Sequence, residues 1–331
     1  MIDPVNNFQI PDEWAKRTNM TLEELKARIS SGRYILLSDG SFIKRGYTTG
    51  TTAAAVAKAS VLSLTKEVSE ISVLTPIGIR VDIPISAKNG KACAKKDAGD
   101  HGFDATAGIE IKACAKEYGS IVIEAGQGIG RKKGAPAINP IPLYQIEEAI
   151  KEALVETGLK GSHVNITIPD GKNIAKLTLN ERTGITGGIS ILGTTGFVEP
   201  WNEHLGEMKE ELIRKSDKVV VLTTGRLGVC FSNMFFPDHD VILIGSDISR
   251  GLLAARENKK VIIAGLPGLI LKWAASDILR RNDHLTFMEL IEADPGNSLI
   301  DVAHFQAVRS SGKRVVLFNR DGTILRDSGE P

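Results

Sequence analysis

Three aspartates and a histidine lie close together in one short segment of the chain. Residues 97–106 contain Asp97, Asp100, His101 and Asp104, and strand-like stretches flank them on both sides. Carboxylates and an imidazole at this density could act as general bases or bind a metal ion. A solvated turn, in which aspartates accept hydrogen bonds from nearby backbone N–H groups, is the commoner explanation for such a loop. The three aspartates are the candidate catalytic residues.

A second segment, residues 181–200, is dense in glycine and threonine. Glycine allows positive φ and close approach of the backbone to a partner. Backbone N–H groups beside hydroxyls can hold oxygen-rich groups such as a nucleotide, a carboxylate or a phosphate. The alternative is a domain-crossover loop whose glycines only satisfy tight turns. The candidate cofactor-binding residues in this segment are Gly187, Gly188, Gly193, Thr194, Thr195 and Gly196.

A turn rich in glycine and threonine, residues 44–52, precedes an alanine-rich helical segment, residues 53–64. We predict Thr51 or Thr52 as the N-cap of this helix. Free N–H groups and the helix dipole at such a turn can bind an anion, although a capped core helix has the same sequence signature. The candidate ligand-binding residues here are Lys44, Arg45, Thr48 and Thr49.

A loop that combines glycines and cations, residues 126–134, follows the fifth predicted strand. Its G-x-G-x-G pattern resembles a dinucleotide-binding turn. We reject that interpretation because Pro136, Pro140 and Pro142 follow and no helix opens at the turn. The cations Arg131, Lys132 and Lys133 suit carboxylates or phosphates of a ligand, and a solvated basic loop is equally compatible with them.

The composition limits the classes of protein to which the chain can belong. With 331 residues, 42% hydrophobic content and 24% charged content, the chain is typical of a globular protein with two domains. A net charge of +1 argues against a dedicated nucleic-acid binder. The three cysteines form no C-x-x-C pair, which predicts a reduced, cytoplasmic chain without a zinc site, with Cys93 and Cys114 as small core residues.

Neither a signal peptide nor a membrane span is predicted. The first residues contain no basic stretch followed by an apolar one. The most apolar run, residues 261–275, is interrupted by Pro267 and Lys272 and is shorter than the roughly 20 residues that a transmembrane helix needs.

The helices and strands that must position these residues can be predicted from the sequence pattern, which indicates a mixed α/β protein. Residues 1–185 are expected to form an α+β domain with an antiparallel-rich sheet. The predicted helices are 12–31, capped by Asp12, and 143–157. The predicted strands are 71–74, 79–85, 91–95, 109–115 and 121–124, followed by a hairpin of 164–168 and 174–178.

Residues 186–331 are expected to form a three-layer, Rossmann-like α/β domain with a mainly parallel sheet. Near-continuous apolar runs at 218–224, 241–244, 261–264 and 315–318 alternate with helical patterns. Ligands of such sheets bind outside the carboxyl ends of the strands, where Thr224 ends the first run and Gly225 follows it. Asp247 follows the second run and either accepts hydrogen bonds from a ribose or, as we favour, caps the helix 248–256.

Several motifs together resemble those of the cobalt-precorrin-5B C1-methyltransferases of anaerobic cobalamin biosynthesis. The resemblance covers about residues 44–275 in the family's order, and Thr223-Thr224-Gly225 adds a weaker match. The motifs that carry it are Gly46-Tyr47-Thr48-Thr49-Gly50-Thr51, Asp97-Ala98-Gly99-Asp100, Gly134-Ala135-Pro136-Ala137-Ile138-Asn139-Pro140 and Gly187-Gly188-Ile189-Ser190-Ile191-Leu192-Gly193-Thr194-Thr195-Gly196.

The chain departs from the family pattern in two places. His101-Gly102 stands where the family tends to have another acid and a proline. Residues 265–269, Gly-Leu-Pro-Gly-Leu, stand where the family commonly has Gly-His-x-Gly-Lys. Any chemical role of that histidine is absent or has moved in this chain.

The resemblance implies transfer of a methyl group from S-adenosylmethionine to C1 of cobalt-precorrin-5B, giving cobalt-precorrin-6A. The activated sulfonium needs no protein nucleophile, so the protein aligns the reactants and excludes water. Cobalt arrives inside the substrate, so no protein-held metal is implied. The substrate's acetate and propionate arms call for cations. The candidates next to the motifs are Lys44, Arg45, Arg131, Lys132, Lys133 and Arg182, with Thr48 and Thr49 beside them.

The resemblance leaves the position of the methyl donor open between two surfaces. One is the backbone of residues 187–196. The other is the strand end at residues 223–228 with Asp247, in which case residues 187–196 would face the tetrapyrrole. If a base deprotonates the macrocycle, Asp97, Asp100 and Asp104 are the candidates.

Two other functional classes remain open from the sequence. A nucleotide-dependent phosphotransferase is suggested by glycine-threonine turns at helix starts, but the chain has no G-x-x-x-x-G-K-[ST] motif. A non-catalytic corrinoid carrier fits the basic loops and the altered motif at 265–269. The expected partners are the cobalt-precorrin substrate and neighbouring enzymes of the pathway, with no nucleic acid and no membrane. The sequence gives no signal for an oligomeric state.

Overall fold

The computed structural model describes residues 1–200, 203–258, 260–281 and 286–329, without the side chains of residues 182, 203–205, 280 and 281. The chain divides into two compact units, Met1–Asn202 and Glu203–Pro331. Each unit has its own hydrophobic core.

Unit 1 combines one large sheet with two long helices. Its helices are α1 (Asp12–Lys16), α2 (Leu22–Ser30), α3 (Thr49–Leu62), α4 (Pro140–Thr157) and α5 (Gly171–Ala175), with a 3₁₀ turn at Glu181–Thr183. Its strands are β1 (Tyr34–Leu36), β2 (Phe42–Lys44), β3 (Gly46–Tyr47), β4 (Val68–Leu74), β5 (Arg80–Lys88), β6 (Lys91–Lys95), β7 (Glu110–Glu117), β8 (Val122–Ala125), β9 (Gly128–Ile129), β10 (Arg131–Lys132), β11 (Ala135–Pro136), β12 (Ser162–Thr167), β13 (Ile185–Thr186), β14 (Gly188–Ile189) and β15 (Phe197–Val198).

The main sheet has six strands in the order β4-β5-β6-β7-β12-β8. Neighbouring strands are antiparallel except for β12 and β8, which run parallel. Along β5, buried and exposed residues alternate strictly, so one face packs into the core and the other is open. The predicted antiparallel-rich α+β architecture is confirmed, and the five predicted strands correspond to β4–β8.

Helix α3 is buried along its whole length, between the covered face of the sheet and α4. Its alanines permit this because their small side chains let neighbouring backbones come close. The N-cap is Thr48, whose side chain accepts a hydrogen bond from the backbone N–H of Thr51. The prediction of Thr51 or Thr52 as the cap was wrong, because the Thr51 hydroxyl instead donates to the backbone carbonyl of Gly196.

The predicted single helix at residues 12–31 is two helices. Thr21 and Glu24 form a capping box that starts α2 anew. Pro11, not Asp12, occupies the N-cap position of α1.

The predicted hairpin of residues 164–168 and 174–178 does not form. Strand β12 pairs with β7 along one edge and with β8 along the other. Since both edges are occupied, residues 174–178 cannot join the sheet beside β12, and the chain turns into α5 instead.

Cys93 and Cys114 lie in strands β6 and β7, as predicted, but neither is a core residue. Their strand neighbours Ala92, Ala94 and Ala113 are buried, whereas both cysteines are half-exposed on the open face of the sheet. Strand alternation places them on that face.

The boundary between the units lies after residue 202 rather than after residue 185. The segment in between hydrogen-bonds to unit 1, since the N–H of Gly130 donates to Ile189, that of Ile191 to Ala137 and that of Thr48 to Gly196. Strand β15 also pairs with β3. The long glycine-threonine motif is therefore part of unit 1.

Unit 2 is a three-layer α/β unit. Its helices are α6 (Glu203–Lys215), α7 (Gly225–Phe235), α8 (Ile248–Ala254), α9 (Pro267–Arg281), α10 (Phe287–Ala293) and α11 (Ser298–Ser311). Its strands are β16 (Val220–Thr224), β17 (Asp240–Leu243), β18 (Val261–Gly265), β19 (Arg314–Phe318) and β20 (Ile324–Asp327), in the sheet order β17-β16-β18-β19-β20.

The first four strands of that sheet are parallel, and β20 pairs antiparallel with β19. Phe231 and Phe236 pack on one face, against Val221 and Val316. Leu222 and Leu317 on the other face pack against helices that include α9 and α11. The predicted parallel sheet with both faces covered is confirmed. Across the described ranges, no helix has both the length and the apolar content needed to cross a membrane.

Candidate active site

A cavity of about 580 Å³ opens in unit 1 where the sequence motifs meet. The turn before α3, the aspartate loop, the start of α4 and the long glycine-threonine motif all contribute to its wall. Its polar lining residues are Thr48, Thr49, Lys96, His101, Asp104, Thr106, Asn139, Thr178, Asn180, Thr183 and Ser190. The volume lies within the range of small-molecule sites, roughly 300–1,000 Å³.

Thr49 joins two sides of this cavity that are far apart in the sequence. Its hydroxyl accepts a hydrogen bond from the N–H of Leu192 at 2.9 Å and lies 3.3 Å from the carbonyl of Ser190. The N–H of Asn139 donates to the carbonyl of Ile191. These bonds hold the starts of α3 and α4 against the long motif.

Three glycines of the long motif pack against neighbouring segments and do not line the cavity. A Cβ on Gly193 would overlap the Thr48 side chain, and one on Gly196 would lie 2.8 Å from the Cβ of Thr75. A Cβ on Gly188 would overlap the carbonyl of Gly128. These glycines permit close contact between backbone segments. Their role in cofactor binding stays a prediction.

The remaining candidates from that motif also lie outside the lining. Gly187 has positive φ and open space around it. The buried hydroxyl of Thr195 bonds the backbone of Phe197. Thr194 lines a second cavity, of about 540 Å³, beside α4. The motif contributes Ile189, Ser190 and Leu192 to the first cavity instead.

Of the three candidate aspartates, only Asp104 lines the cavity. Asp97 accepts a hydrogen bond from the N–H of Gly99 and pairs with Arg33. Asp100 accepts from the N–H of Lys44 at 2.6 Å. Both carboxylates therefore hold the aspartate loop against residues 33 and 44. Across the described residues, no three His, Cys, Asp or Glu side chains come together as a metal site.

Asp104 forms an ion pair with Lys96, and both side chains are largely buried. Burial by itself raises the pKa of the Asp104 carboxyl, but hydrogen bonds from Lys96 and Thr106 outweigh this effect and hold the pKa below its usual value. Asp104 is thus a fixed anion in the cavity wall. Lys96 was not among the predicted site residues, because the sequence around it resembles the end of an ordinary strand.

Two cations predicted to bind substrate occupy a different place. The guanidinium of Arg45 is fully buried and pairs with Asp3 at 2.8 Å and with Glu199 at 3.4 Å. It is not open to a ligand. The ammonium of Lys44 lies 3.4 Å from the carboxylate of Asp97. Neither residue lines the cavity.

The basic loop lies at the rim of the cavity. Strand β10, which holds Arg131 and Lys132, pairs with β13 and places Lys132 opposite Ile185, a lining residue. All three cations of the loop are exposed. The side chain of Arg182 lies outside the described residues, and its backbone is in the 3₁₀ turn at Glu181–Thr183.

The candidates in unit 2 lie at the carboxyl ends of its strands. Thr224 is buried at the end of β16, and Gly225 has positive φ and begins α7. The ends of β16 and β18 are in close contact, since a Cβ on Gly265 would lie 2.8 Å from the Thr224 hydroxyl. Asp247 occupies the N-cap position of α8, but its side chain makes no capping hydrogen bond, so the favoured capping role was wrong.

Comparison with known proteins places the chain in a family. It is 52% identical to the protein of Methanococcoides burtonii named cobalt-precorrin-5B C(1)-methyltransferase, over 100% of this chain and 99% of the relative. A protein of the same name from Methanosarcina acetivorans is 50% identical over 99% of both chains. A family model described as CbiD matches residues 37–200. The chain belongs to the CbiD family.

A solved CbiD structure has the same fold. The crystal structure of the cobalamin biosynthesis protein CbiD from Archaeoglobus fulgidus superposes with a TM-score of 0.74 at 36% identity, covering 86% of this chain and 98% of that one. The resemblance drawn from the motifs is therefore confirmed.

The CbiD match and the cavity coincide along the chain. The matched residues, 37–200, end two residues before unit 1 does, and every residue that lines the cavity falls within them. Three of the four motifs that carry the resemblance thus contribute residues to one cavity in unit 1.

Proposed function

We propose that this CbiD-family protein transfers a methyl group from S-adenosylmethionine to C1 of cobalt-precorrin-5B, giving cobalt-precorrin-6A. The observation that carries the proposal is similarity along the whole chain to relatives whose names state this reaction. The convergence of four sequence segments on one cavity supports it.

The methyl transfer needs no nucleophilic group from the protein. The carbon C1 supplies an electron pair, the bond from sulfur to methyl breaks, and the sulfur leaves as a neutral thioether. The positive charge that arrives with the methyl is balanced when the macrocycle loses a proton. The protein must align the two reactants and keep water out.

Asp104 fits the role of a fixed charge better than that of a base. A carboxylate whose pKa is held low by Lys96 and Thr106 is a weak proton acceptor. Because Lys96 neutralises this carboxylate, the pair leaves the cavity wall without net charge. Asp97 pairs with Arg33 and Asp100 accepts from the backbone of Lys44, so we assign them no proton transfer.

The test is anaerobic incubation of the protein with cobalt-precorrin-5B and methyl-labelled S-adenosylmethionine, followed by mass spectrometry of the tetrapyrrole. We expect one labelled methyl group, located at C1. A tetrapyrrole that binds but gains no methyl, under conditions in which the Methanosarcina acetivorans relative is active, would identify a carrier instead. Release of phosphate from a nucleotide would point to a phosphotransferase.

A further inference from the structure

The cavity and its rim differ sharply in charge. Among the described side chains that line the cavity, the charged groups are Lys96 and Asp104, and they neutralise each other. The rest of the polar lining consists of hydroxyls and amides, with His101 beside them. Such a lining matches the hydroxyls and ring nitrogens of a nucleoside. It cannot neutralise several buried carboxylates, each of which needs a cation or several hydrogen bonds.

The rim carries the cations that the cavity lacks. Arg131, Lys132 and Lys133 lie in a tight hairpin, and in the part of the chain that the structure describes no carboxylate is within ion-pair distance of them. At the tip, Lys133 has a φ of 51° and Gly134 one of 82°. Asparagine or glycine is the usual choice where a hairpin needs positive φ. A lysine there holds a cation at the outermost point of the hairpin at some conformational cost.

The mouth of the cavity is apolar and exposed. Phe103, Leu179 and Leu192 all line it, although 81%, 66% and 48% of their surfaces remain accessible. Exposed apolar side chains grouped around a cavity mark a ligand-binding surface. A flat macrocycle with charged arms has an apolar face that fits such a mouth.

Resting on the proposed function, we propose a division of the two substrates between these surfaces. S-adenosylmethionine binds inside the unit 1 cavity, with its adenosyl and methionyl parts against the hydroxyls and amides. The tetrapyrrole lies across Phe103, Leu179 and Leu192, with its acid arms on Arg131, Lys132 and Lys133. This assigns the donor to lining residues of unit 1 rather than to Thr224, Gly225 and Asp247 of unit 2.

The donor half of the proposal is tested by calorimetric titration of the full chain with S-adenosylhomocysteine, the demethylated donor. Ala105→Trp places an indole in the cavity and should abolish binding. Asn139→Ala removes an amide from the cavity wall, and this amide makes no capping hydrogen bond to α4. The variant should bind S-adenosylhomocysteine about 3- to 10-fold more weakly, the effect of one hydrogen bond. Unchanged affinity in both variants overturns the donor site, and Asn139→Ala decides the matter if Ala105→Trp fails to fold.

The substrate half is tested by neutralising the hairpin. Arg131→Gln, Lys132→Gln and Lys133→Gln combined should weaken tetrapyrrole binding roughly 10- to 100-fold, as expected for three exposed charge pairs, and leave S-adenosylhomocysteine binding unchanged. The matched control is Lys91→Gln, Lys95→Gln and Lys116→Gln on the open face of the sheet, which removes the same charge and should change neither affinity. If both triple variants weaken tetrapyrrole binding equally, the cause is the change in net charge, and the assignment of the hairpin to the acid arms is wrong.

These measurements separate this inference from the proposed function. If the wild-type protein binds S-adenosylhomocysteine in the cavity but transfers no methyl, the function fails and the donor site stands. If it transfers methyl and Ala105→Trp does so with an unchanged KM for S-adenosylmethionine, the donor site fails and the function stands.

Discussion

Lys96 and Asp104 form an ion pair in the cavity wall whose side chains are only 2% and 11% exposed. Removing one partner of such a pair leaves an uncompensated buried charge. We expect Asp104→Asn to lower the free energy of unfolding by about 3 kcal/mol, measured by urea denaturation. The matched control is Glu110→Gln, which breaks a half-exposed pair with Lys112 on the open sheet face and should have no measurable effect. Equal effects of the two variants would contradict the buried role of the pair.

The same pair predicts a pH dependence of stability. The folded-state pKa of Asp104 lies below its unfolded value, which for a free aspartate is about 3.9. Its contribution is therefore complete above about pH 4 and is lost as the pH falls through the lowered folded-state pKa. Urea denaturation from pH 7 down to about pH 2 should show this loss in the wild-type protein and a shallower one in Asp104→Asn. Parallel curves would contradict it.

Arg45 illustrates how a motif residue can serve structure alone. Its buried guanidinium binds Asp3 and Glu199 and so links the junction of β2 and β3 to the N-terminal segment and to the residue after β15. We expect Arg45→Met to cost about 3–5 kcal/mol of unfolding free energy, since two carboxylates lose their cation. Lys44→Gln next to it, at a half-exposed side chain, should cost less than about 1 kcal/mol. If the Arg45→Met protein is stable but has a raised KM for the tetrapyrrole, Arg45 binds substrate, as the sequence predicted.

At the scale of elements, glycine allows the long motif to pack closely against the start of α3. Gly193 combines a φ of 138° with direct contact to Thr48, whereas Gly187 has a φ of 79° and open space around it. We expect Gly193→Ala to destabilise the protein by about 3 kcal/mol, from strain and overlap together. Gly187→Ala should cost about 1 kcal/mol from strain alone. Comparing the urea midpoints of the two variants tests this, and similar midpoints would show that the contact with Thr48 is loose.

At the scale of the whole molecule, unit 1 holds the cavity, the rim and its own core. A fragment of residues 1–202 should therefore fold cooperatively and bind S-adenosylhomocysteine with the affinity of the full chain. Circular dichroism during thermal unfolding checks the first expectation, and calorimetry checks the second. A folded fragment that does not bind would show that unit 2 supplies donor contacts, as the alternative at Thr224 and Asp247 requires. The fragment of residues 203–329 serves as the control for binding.

The sequence by itself determined the features that depend on neighbouring residues. The alternation along β5 predicts a sheet with one open face, and the apolar run of β16 predicts a strand covered on both sides. The motifs were specific enough to identify the family, because they are long and occur in the family's order.

Only the tertiary structure decided which of the candidates meet in a site. Thr49 and Leu192, whose hydrogen bond closes one side of the cavity, are 143 positions apart in the sequence. Asp104 lines the cavity while Asp97 and Asp100 bond residues that precede β3, and no local pattern distinguishes the three. Lys96 gained its role from the fold in the same way. A side chain's function depends on its burial and on its partners, and both are set by long-range contacts that periodicity and spacing do not encode.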